Sequence, residues 1–328
     1  MAGCLLVDAF RLVFVGGMGR SGSTLVERLL GELPDLCSVG EIVHMWRRSL
    51  VDNEACGCGV PFGDCGFWRA VGDQAYGGWD RVDAGEILAL KASVDRMRFV
   101  PSLLRMRPPR ALAARIERYT EFYDRLYAAI AAVSGCRIVV DASKHGSLAA
   151  CLWQRYGNRF QVVHVVRDPR AVAYAWSKRV PRPEATVTSP EQEMARYSPG
   201  QAATQWIAQN AVFTALAQRG VPTRRVRYED FVARPAEELR EVAAFVGHRG
   251  AVPLETKQPG TNQHGTDLHG TGHEAQLSSS HAVSGNPMRF TTGTVAVHAD
   301  TSWHTNLGAG RRFVVSTLTA PIRWRYGY

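Results

Sequence analysis

Residues 11–24 read Arg11-Leu-Val-Phe-Val-Gly16-Gly17-Met-Gly19-Arg20-Ser21-Gly22-Ser23-Thr24, and this stretch decides the fold. Leu12 to Val15 is a short, continuous apolar run of the kind that fills a strand buried on both faces of a parallel sheet. Thr24 to Leu33 then sets Leu25, Val26, Leu29, Leu30 and Leu33 on one helical face, which Pro34 closes. A strand, a glycine loop and a helix in direct succession make a phosphate cradle. The glycines let backbone amides curl around an anion, and the helix N-terminus adds unpaired N–H donors and the positive end of its dipole. The spacing Gly17-x4-Gly22 matches a Walker A loop, yet Ser23 stands where that loop needs its lysine. The loop cation is Arg20 instead, which suits a phosphate group smaller than a triphosphate.

Working outward, Arg137–Val140, Gln161–Val166 and Arg225–Tyr228 repeat the strand signal. Ala111–Val133, Ala202–Ala217 and Ala236–Val246 carry helical spacing. The alternation predicts an α/β, P-loop-type three-layer fold, a central parallel sheet flanked by helices, as a single domain over residues 1–328. Two stretches break the rhythm. Residues 52–80, rich in Gly, Cys and Trp, read as an inserted loop region, and residues 248–285, rich in Gly, Ser, Thr and His, as a flexible segment.

A second anion element is Val163-His-Val-Val166-Arg167-Asp168-Pro169-Arg170-Ala171-Val172. Pro169 suits the first turn of a helix, and Arg167 arrives at the carboxyl end of a strand, where ligands bind in open α/β sheets. Arg167 can grip a phosphate bidentately or, alternatively, be a buried partner of an aspartate that holds the turn.

The loop Gly19-Arg20-Ser21-Gly22-Ser23-Thr24 followed by Arg167-Asp-Pro-Arg-Ala-Val resembles the sulfotransferases that use 3′-phosphoadenylyl sulfate (PAPS), in particular the bacterial relatives of the carbohydrate and tyrosylprotein branch. Ser38-Val-Gly-Glu41, Val140-Asp141-Ala-Ser-Lys144, and His281-x3-Gly285-Asn286-Pro287-x-Arg289 with Asp300-x2-Trp303 are similar to that group too. The resemblance implies a sulfotransferase with PAPS as donor, its loop from Gly19 to Thr24 cradling the 5′-phosphosulfate and Arg167 binding the 3′-phosphate. The family's serine eight residues after that arginine is here Ala175, with Ser177 or Arg289 as stand-ins. Ser177 lies about 200° further round the helix. By the same resemblance Glu41 is the base for the acceptor hydroxyl, and Lys144 steadies the leaving oxygen. His145, directly after Lys144, is the rival base, because the cytosolic branch uses a histidine close after a lysine. No metal is expected. The acceptor is a carbohydrate, a glycolipid or a natural product. The competing readings are a P-loop kinase or NTPase with Asp141 as its metal-binding carboxylate, and a nucleotide-binding protein without catalysis.

The remaining composition bounds the setting. Among 328 residues, 39 Lys and Arg against 30 Asp and Glu give a net charge of +9, which favours anionic ligands. No nucleic-acid recognition module is present, so a nucleic-acid partner is not expected. Residues 96–118 hold seven arginines against Glu117, a solvated face or a docking site for an anionic membrane surface. No apolar run reaches the ~18 residues of a membrane span, and Met1–Phe10 contains Asp8 and no basic start, so a cytoplasmic protein is expected. Seven cysteines are an odd count. Cys4, Cys37, Cys136 and Cys151 stand alone as small core residues. Cys56-Gly-Cys58-Gly59 with Cys65 and His44 offers metal-binding atoms but lacks paired-cysteine spacing. By resemblance, the stretch ending at Trp68 is a lid or acceptor-site element.

Overall fold

The computed structural model describes residues 10–105, 107–182, 193–252, 254–256 and 273–328. Its strands β1 (Arg11–Gly16), β2 (Leu36–Ser38), β3 (Ile138–Lys144), β4 (Phe160–Val166) and β5 (Thr223–Arg227) form an all-parallel sheet ordered β2–β3–β1–β4–β5. The apolar run that suggested a central strand takes the centre, because Leu12, Val13, Phe14 and Val15 are all fully buried. Alternate side chains serve opposite layers. Leu12 and Phe14 join one core cluster, and Val13 and Val15 the other.

The helices that cover the sheet are α1 (Ser23–Gly31), α2 (Ile42–Arg48), α3 (Gly66–Tyr76), α4 (Ala84–Val94), α5 (Val100–Leu103), α6 (Arg110–Ser134), α7 (Gly146–Tyr156), α8 (Pro169–Ser177), α9 (Pro199–Gln218), α10 (Tyr228–Ala233) and α11 (Pro235–Val246). On one face Phe14 and Phe160 pack against buried side chains of α2, α3, α6 and α7, with Trp46, Tyr119, Tyr123 and Tyr127 as the bulk. On the other, Val13, Val15 and Val163 meet Leu25, Val26 and Leu29 of α1 and Leu239, Val242 and Val246 of α11. Truncating a buried aromatic such as Phe14 to alanine costs about 3–5 kcal/mol in a core packed this way.

A small antiparallel sheet, β6 (Leu254–Thr256), β7 (His273–Leu277) and β8 (Gly293–Val297), lies along α1, followed by α12 (Trp303–Asn306) and α13 (Ala309–Arg323). Arg28 of α1 ties this C-terminal part down. Buried to 2% exposure, it donates to the backbone oxygens of Ser278 (2.6 Å), Arg289 (2.8 Å) and Thr291 (3.0 Å) and to Ser280 Oγ (2.6 Å).

Two expectations change. Within 52–80, residues 66–76 are a helix that buries Trp68, Val71, Ala75 and Tyr76. Its pattern is masked by Gly72, where a Cβ would stand 2.4 Å from Trp79 Nε1, so packing there demands glycine, a poor helix former. Within 248–285, residues 273–277 are strand β7, and 281–285 run beside the central sheet through a bridge from Val283 to Gly40. Cys4 and the Gly- and Thr-rich stretch from Gly265 to Gly272 lie outside the described residues. Of the remaining solitary cysteines, Cys151 is fully buried. Cys37 and Cys136 are only partly so, and burial pushes the Cys37 thiol up to about 12.

Candidate active site

The loops that leave the carboxyl ends of β1, β3 and β4 open into one cavity of about 780 Å³. This is the edge at which β1, flanked by β3 and β4, reverses the strand order, the usual ligand crevice of such sheets.

The glycine loop forms its floor. Gly17 (φ +127°) and Gly22 (φ +89°) occupy backbone regions that side chains avoid, and Gly22 is the N-cap of α1 with no side-chain cap of its own. A Cβ at Gly17 would stand 2.2 Å from the Val165 oxygen, and one at Gly22 would stand 2.3 Å from the Tyr228 ring. Arg20 also takes a left-handed conformation (φ 70°), a strain that a non-glycine residue holds only where its surroundings fix it. Trp176 of α8 does so: its indole N–H donates to the Gly19 oxygen at 2.8 Å, and the Arg20 guanidinium lies 5.5 Å from its ring. The first-helix amides are left without a capping side chain, and Ser23 and Thr24 line the cavity with Gly19, Arg20 and Gly22. Ser21 does not; its hydroxyl is buried and has no partner among the described residues.

Arg167 lies at the end of β4, 6% exposed. Its Nη1 donates to the Arg20 oxygen (3.3 Å) and its Nη2 to the Asp300 oxygen (3.0 Å), while its guanidinium sits 4.4 Å over the Tyr228 ring. The aspartate it meets is Asp300, at 3.6 Å, and not Asp168, which accepts from Arg170 and caps α8 behind Pro169. Lys178 reaches the same Asp300 carboxylate at 3.4 Å. Burial raises the Asp300 carboxyl, but hydrogen bonds from Ser302 and the cations Lys178 and Arg167 outweigh it and hold it at about 2. Arg167 and Lys178 thus converge on one carboxylate at the cavity wall, and the Arg167 Nε has no hydrogen-bond partner among the described residues.

Opposite, β1 and β3 fall out of register between Phe14 and Gly16, and Lys144 ends β3 with φ 66°. Its ammonium donates to Glu41 Oε1. Glu41 is the N-cap of α2, held from behind by Gly285, where a Cβ would stand 2.3 Å from the carboxylate, and its Oε2 lies 3.6 Å from His44 Nε2. His145 packs edge-on against His44, ring centroids 5.3 Å apart. Burial lowers both imidazoles below their ordinary value. His145 and the cations Lys91, Arg48 and Lys144 lower His44 further, while around His145 the carboxylates Asp95 and Glu41 partly offset burial, Lys91 and Lys144, so both rings are neutral near pH 7. The site therefore juxtaposes a carboxylate, an ammonium and a neutral imidazole pair facing a phosphate loop.

Three sequence expectations fall away from this cavity. Ser177 Oγ donates to the Tyr174 oxygen at 2.7 Å within its own helix and does not line the cavity, whereas Ala175 does. Arg289, 1% exposed, donates to the Gly285 and Ala55 oxygens and covers Phe290, so it braces the C-terminal turn instead of reaching Arg167. Asp141 is fully buried and accepts from the Tyr127 hydroxyl and from the Ser143 hydroxyl and amide, leaving no carboxylate free for a metal-bound triphosphate. His44 faces Glu41 and His145, not the thiols of Cys56, Cys58 and Cys65.

The sequence reading missed Asp95, Arg48, Lys178 and Tyr228, which also line the cavity. Asp95 accepts from Ser147 (2.5 Å) and Tyr119 (3.2 Å). Lys178 carried a signal, one residue beyond the helix that begins at Pro169. Asp95 carried none, because its partners come from α6 and α7. Of the seven arginines in 96–118, Arg96 lines the cavity and Arg118 pairs with Glu86 and Glu121 on the surface.

Residues 158–249, from the turn before β4 to just past α11, match the family model described as "Sulfotransferase family". Among solved structures, the chain is similar to the sulfotransferase domain from the Synechococcus PCC 7002 olefin synthase (20% identity, 97% of this chain and 94% of that one, TM-score 0.47). It is similar also to the sulfotransferase domain from the curacin biosynthetic pathway (14%, 94% and 97%, TM-score 0.43). Sulfotransferase STF1 from Mycobacterium tuberculosis H37Rv is a third (17%, 74% and 70%, TM-score 0.41). No curated protein matches the sequence.

Proposed function

We propose, taking the sulfotransferase match of residues 158–249 as the premise, that this chain transfers a sulfuryl group from PAPS to an acceptor hydroxyl. The observation that carries the reading is the meeting, in one cavity, of an uncapped glycine loop without the Walker lysine, the Lys144–Glu41 pair and Arg167. In this reading the loop amides and the Ser23 and Thr24 hydroxyls hold the 5′-phosphosulfate. Arg167, with Lys178 beside it in place of the serine absent at position 175, takes the 3′-phosphate. A bound phosphate replaces the Asp300 carboxylate as partner of both cations.

The acceptor oxygen attacks sulfur in line. Its bond to sulfur forms as the bond from sulfur to the phosphate oxygen breaks, and the hydroxyl proton passes to Glu41. Lys144 and Arg20 offset the charge that gathers on the leaving oxygen, the kind of fixed positive field that supplies most of such catalysis. Lys144 can serve both partners because its ammonium, bonded to Glu41, lines the same cavity as the loop. In this reading neutral His44, 3.6 Å from the carboxylate and backed by the His145 ring, orients Glu41. Acceptors are carbohydrate, glycolipid or natural-product hydroxyls. The buried, fully engaged Asp141 speaks against the kinase alternative.

The test is thermal stabilisation by 3′-phosphoadenosine 5′-phosphate against ATP with Mg²⁺. Specific binding raises Tm with ligand concentration over affinity. The expected result is a shift with the bisphosphate, lost in Arg20→Ala and Arg167→Ala, followed by transfer of labelled sulfate to a hydroxyl acceptor panel. A shift only with ATP and Mg²⁺ overturns the reading.

A further inference from the structure

We infer that Cys56, Cys58, Cys65 and His281 form a structural zinc site that fastens the C-terminal turn behind Glu41 to the loop that follows α2. The four ligand atoms lie within 4.8 Å of one another. Cys58 Sγ and Cys65 Sγ are 3.7 Å apart. His281 Nδ1 is 3.3 Å from Cys65 Sγ and 3.7 Å from Cys56 Sγ. A tetrahedral centre with Zn–S of about 2.3 Å and Zn–N of about 2.0–2.1 Å has edges of about 3.8 Å between sulfurs and about 3.6 Å from sulfur to nitrogen. These three separations lie within about 0.3 Å of those edges, and they are far from the ~2.05 Å of a disulfide.

The backbone is shaped to present these atoms. The Gly59 amide donates to the Cys56 oxygen and the Cys56 amide to the Val60 oxygen, both at 2.8 Å, which folds Cys56 and Cys58 into one tight turn. The Gly57 amide donates to the Ala282 oxygen at 2.9 Å, and a Cβ at Gly57 would stand 2.8 Å from the Ser280 oxygen, so only glycine lets the thiol turn lie against the histidine segment. Cys65 enters from the start of α3. The His281 ring stacks on Phe67 (4.7 Å, 7°) with Nδ1 toward the thiols, and its carbonyl accepts from Trp68 Nε1 at 2.9 Å.

Three thiolates and one imidazole, all from protein, make a closed S₃N set that selects zinc and leaves no position open for a reacting group. On binding, the three thiol protons leave, and the site carries a net charge of −1. None of the four ligands lines the cavity, so this metal lies outside the sulfuryl-transfer chemistry and the inference does not depend on it. The link to the cavity is through the backbone. Two residues after His281, the Val283 amide donates to Val39 (3.0 Å), and the Glu41 amide donates to Val283 (2.8 Å). Across more than 200 positions of sequence, the site closes a loop that the chain would otherwise hold only by packing and hydrogen bonds.

The experiment uses the full chain, freed of any histidine tag and purified in reductant. Elemental analysis is expected to find one zinc per chain. After chelator stripping, Co²⁺ is expected to give the thiolate-to-cobalt charge-transfer band and the intense visible bands of a tetrahedral sulfur-rich site. His281→Cys, which keeps four donors, is expected to retain the metal and a native near-ultraviolet circular dichroism spectrum. His281→Ala is expected to lose more affinity than the roughly 10–100-fold that outer-shell changes cost. Any of three results overturns the inference: a zinc-free chain without the cobalt–thiolate band, equal metal in a Cys56→Ser/Cys65→Ser variant, or a Cys58–Cys65 disulfide in the reduced preparation.

Discussion

The phosphate loop and the thiol–imidazole cluster both turn on glycines, yet they are assembled in opposite ways. The first is eight consecutive residues, Gly17 to Thr24, whose shape follows from left-handed backbone at Gly17, Arg20 and Gly22 and from the strand and helix on either side. The second gathers a turn, a helix start and a histidine 225 positions away from Cys56, and it exists only once the C-terminal turn has docked. A motif of the first kind is written locally; a motif of the second kind is a property of the fold. Glu41 stands between them, its carboxylate bonded to Lys144 within the field of Arg20 and its amide bonded to the C-terminal turn. Damage to the first region should therefore remove chemistry from an intact fold, and damage to the second should first loosen the fold.

The largest effect expected is on the chemistry itself. Glu41→Gln keeps the side-chain shape and an oxygen for Lys144 but cannot take a proton. It should lower kcat about 10²–10⁴-fold in steady-state sulfuryl transfer, with Tm little changed. His145→Asn should lower it far less. If the two results exchange places, His145 is the base and Glu41 its anchor.

The next effect concerns Asp141, where a local reading and the fold disagree. Burial raises this carboxyl to about 6, against hydrogen bonds from Ser143 and Tyr127 that pull it down. Since the ordinary aspartate value is about 3.9, the folded protein holds the proton more tightly than the unfolded chain does. Stabilisation from this group is therefore fully present below about pH 4 and is lost as pH rises through 6. Two pKa units correspond to about 3 kcal/mol. Chemical unfolding of Asp141→Asn and wild type, compared at about pH 4 and pH 7, should show the difference moving by about that amount in favour of the variant as pH rises. A pH-independent difference would mean that Asp141 stays ionised in the fold.

How much of this was legible follows the same division. The strand at Leu12–Val15, the loop, Arg167 at the end of β4 and Pro169 opening α8 are all consequences of near-neighbour residues, and the structure has them where the sequence put them. What the sequence could not disclose is set by contacts between distant elements. The α3 helix was hidden by Gly72, which exists to admit Trp79, and Asp95 in the cavity is positioned by Ser147 and Tyr119. Arg289 carried a motif signal and still proved a brace, because a buried arginine that donates to carbonyls looks, in sequence, the same as one that waits for a phosphate. In sequence the histidine nearest the thiols is His44; the fold turns it toward Glu41 and brings His281, stacked on Phe67, to the thiols instead.

A smaller effect separates the two glycine turns. Gly57→Ala forces a methyl group against the Ser280 backbone and should cost about 1–3 kcal/mol of stability, as overpacking does, with affinity for the bisphosphate nearly unchanged. Gly22→Ala, clashing with Tyr228 at φ +89°, should instead abolish bisphosphate binding at a similar loss of stability. Calorimetric titration and a melting curve on both variants would sharpen the contrast, and a Gly57→Ala protein that lost nucleotide affinity outright would erase it.

The smallest effect expected is the most local. Ala175 lines the cavity on α8, about two helical turns on from Arg167, while Ser177 spends its hydroxyl on the Tyr174 oxygen. If the 3′-phosphate rests between Arg167 and Lys178, then Ser177→Ala should leave bisphosphate affinity within about twofold, since it removes a hydroxyl that never faces the ligand. Ala175→Ser adds one that does. A hydrogen bond to a phosphate oxygen contributes about 0.5–1.5 kcal/mol net, so Kd should fall about 2–10-fold. The two substitutions differ by two positions on one helix and by a single oxygen each way. Opposite results would place the phosphate on the far side of α8, away from Arg167, and with it the whole assignment of that arginine.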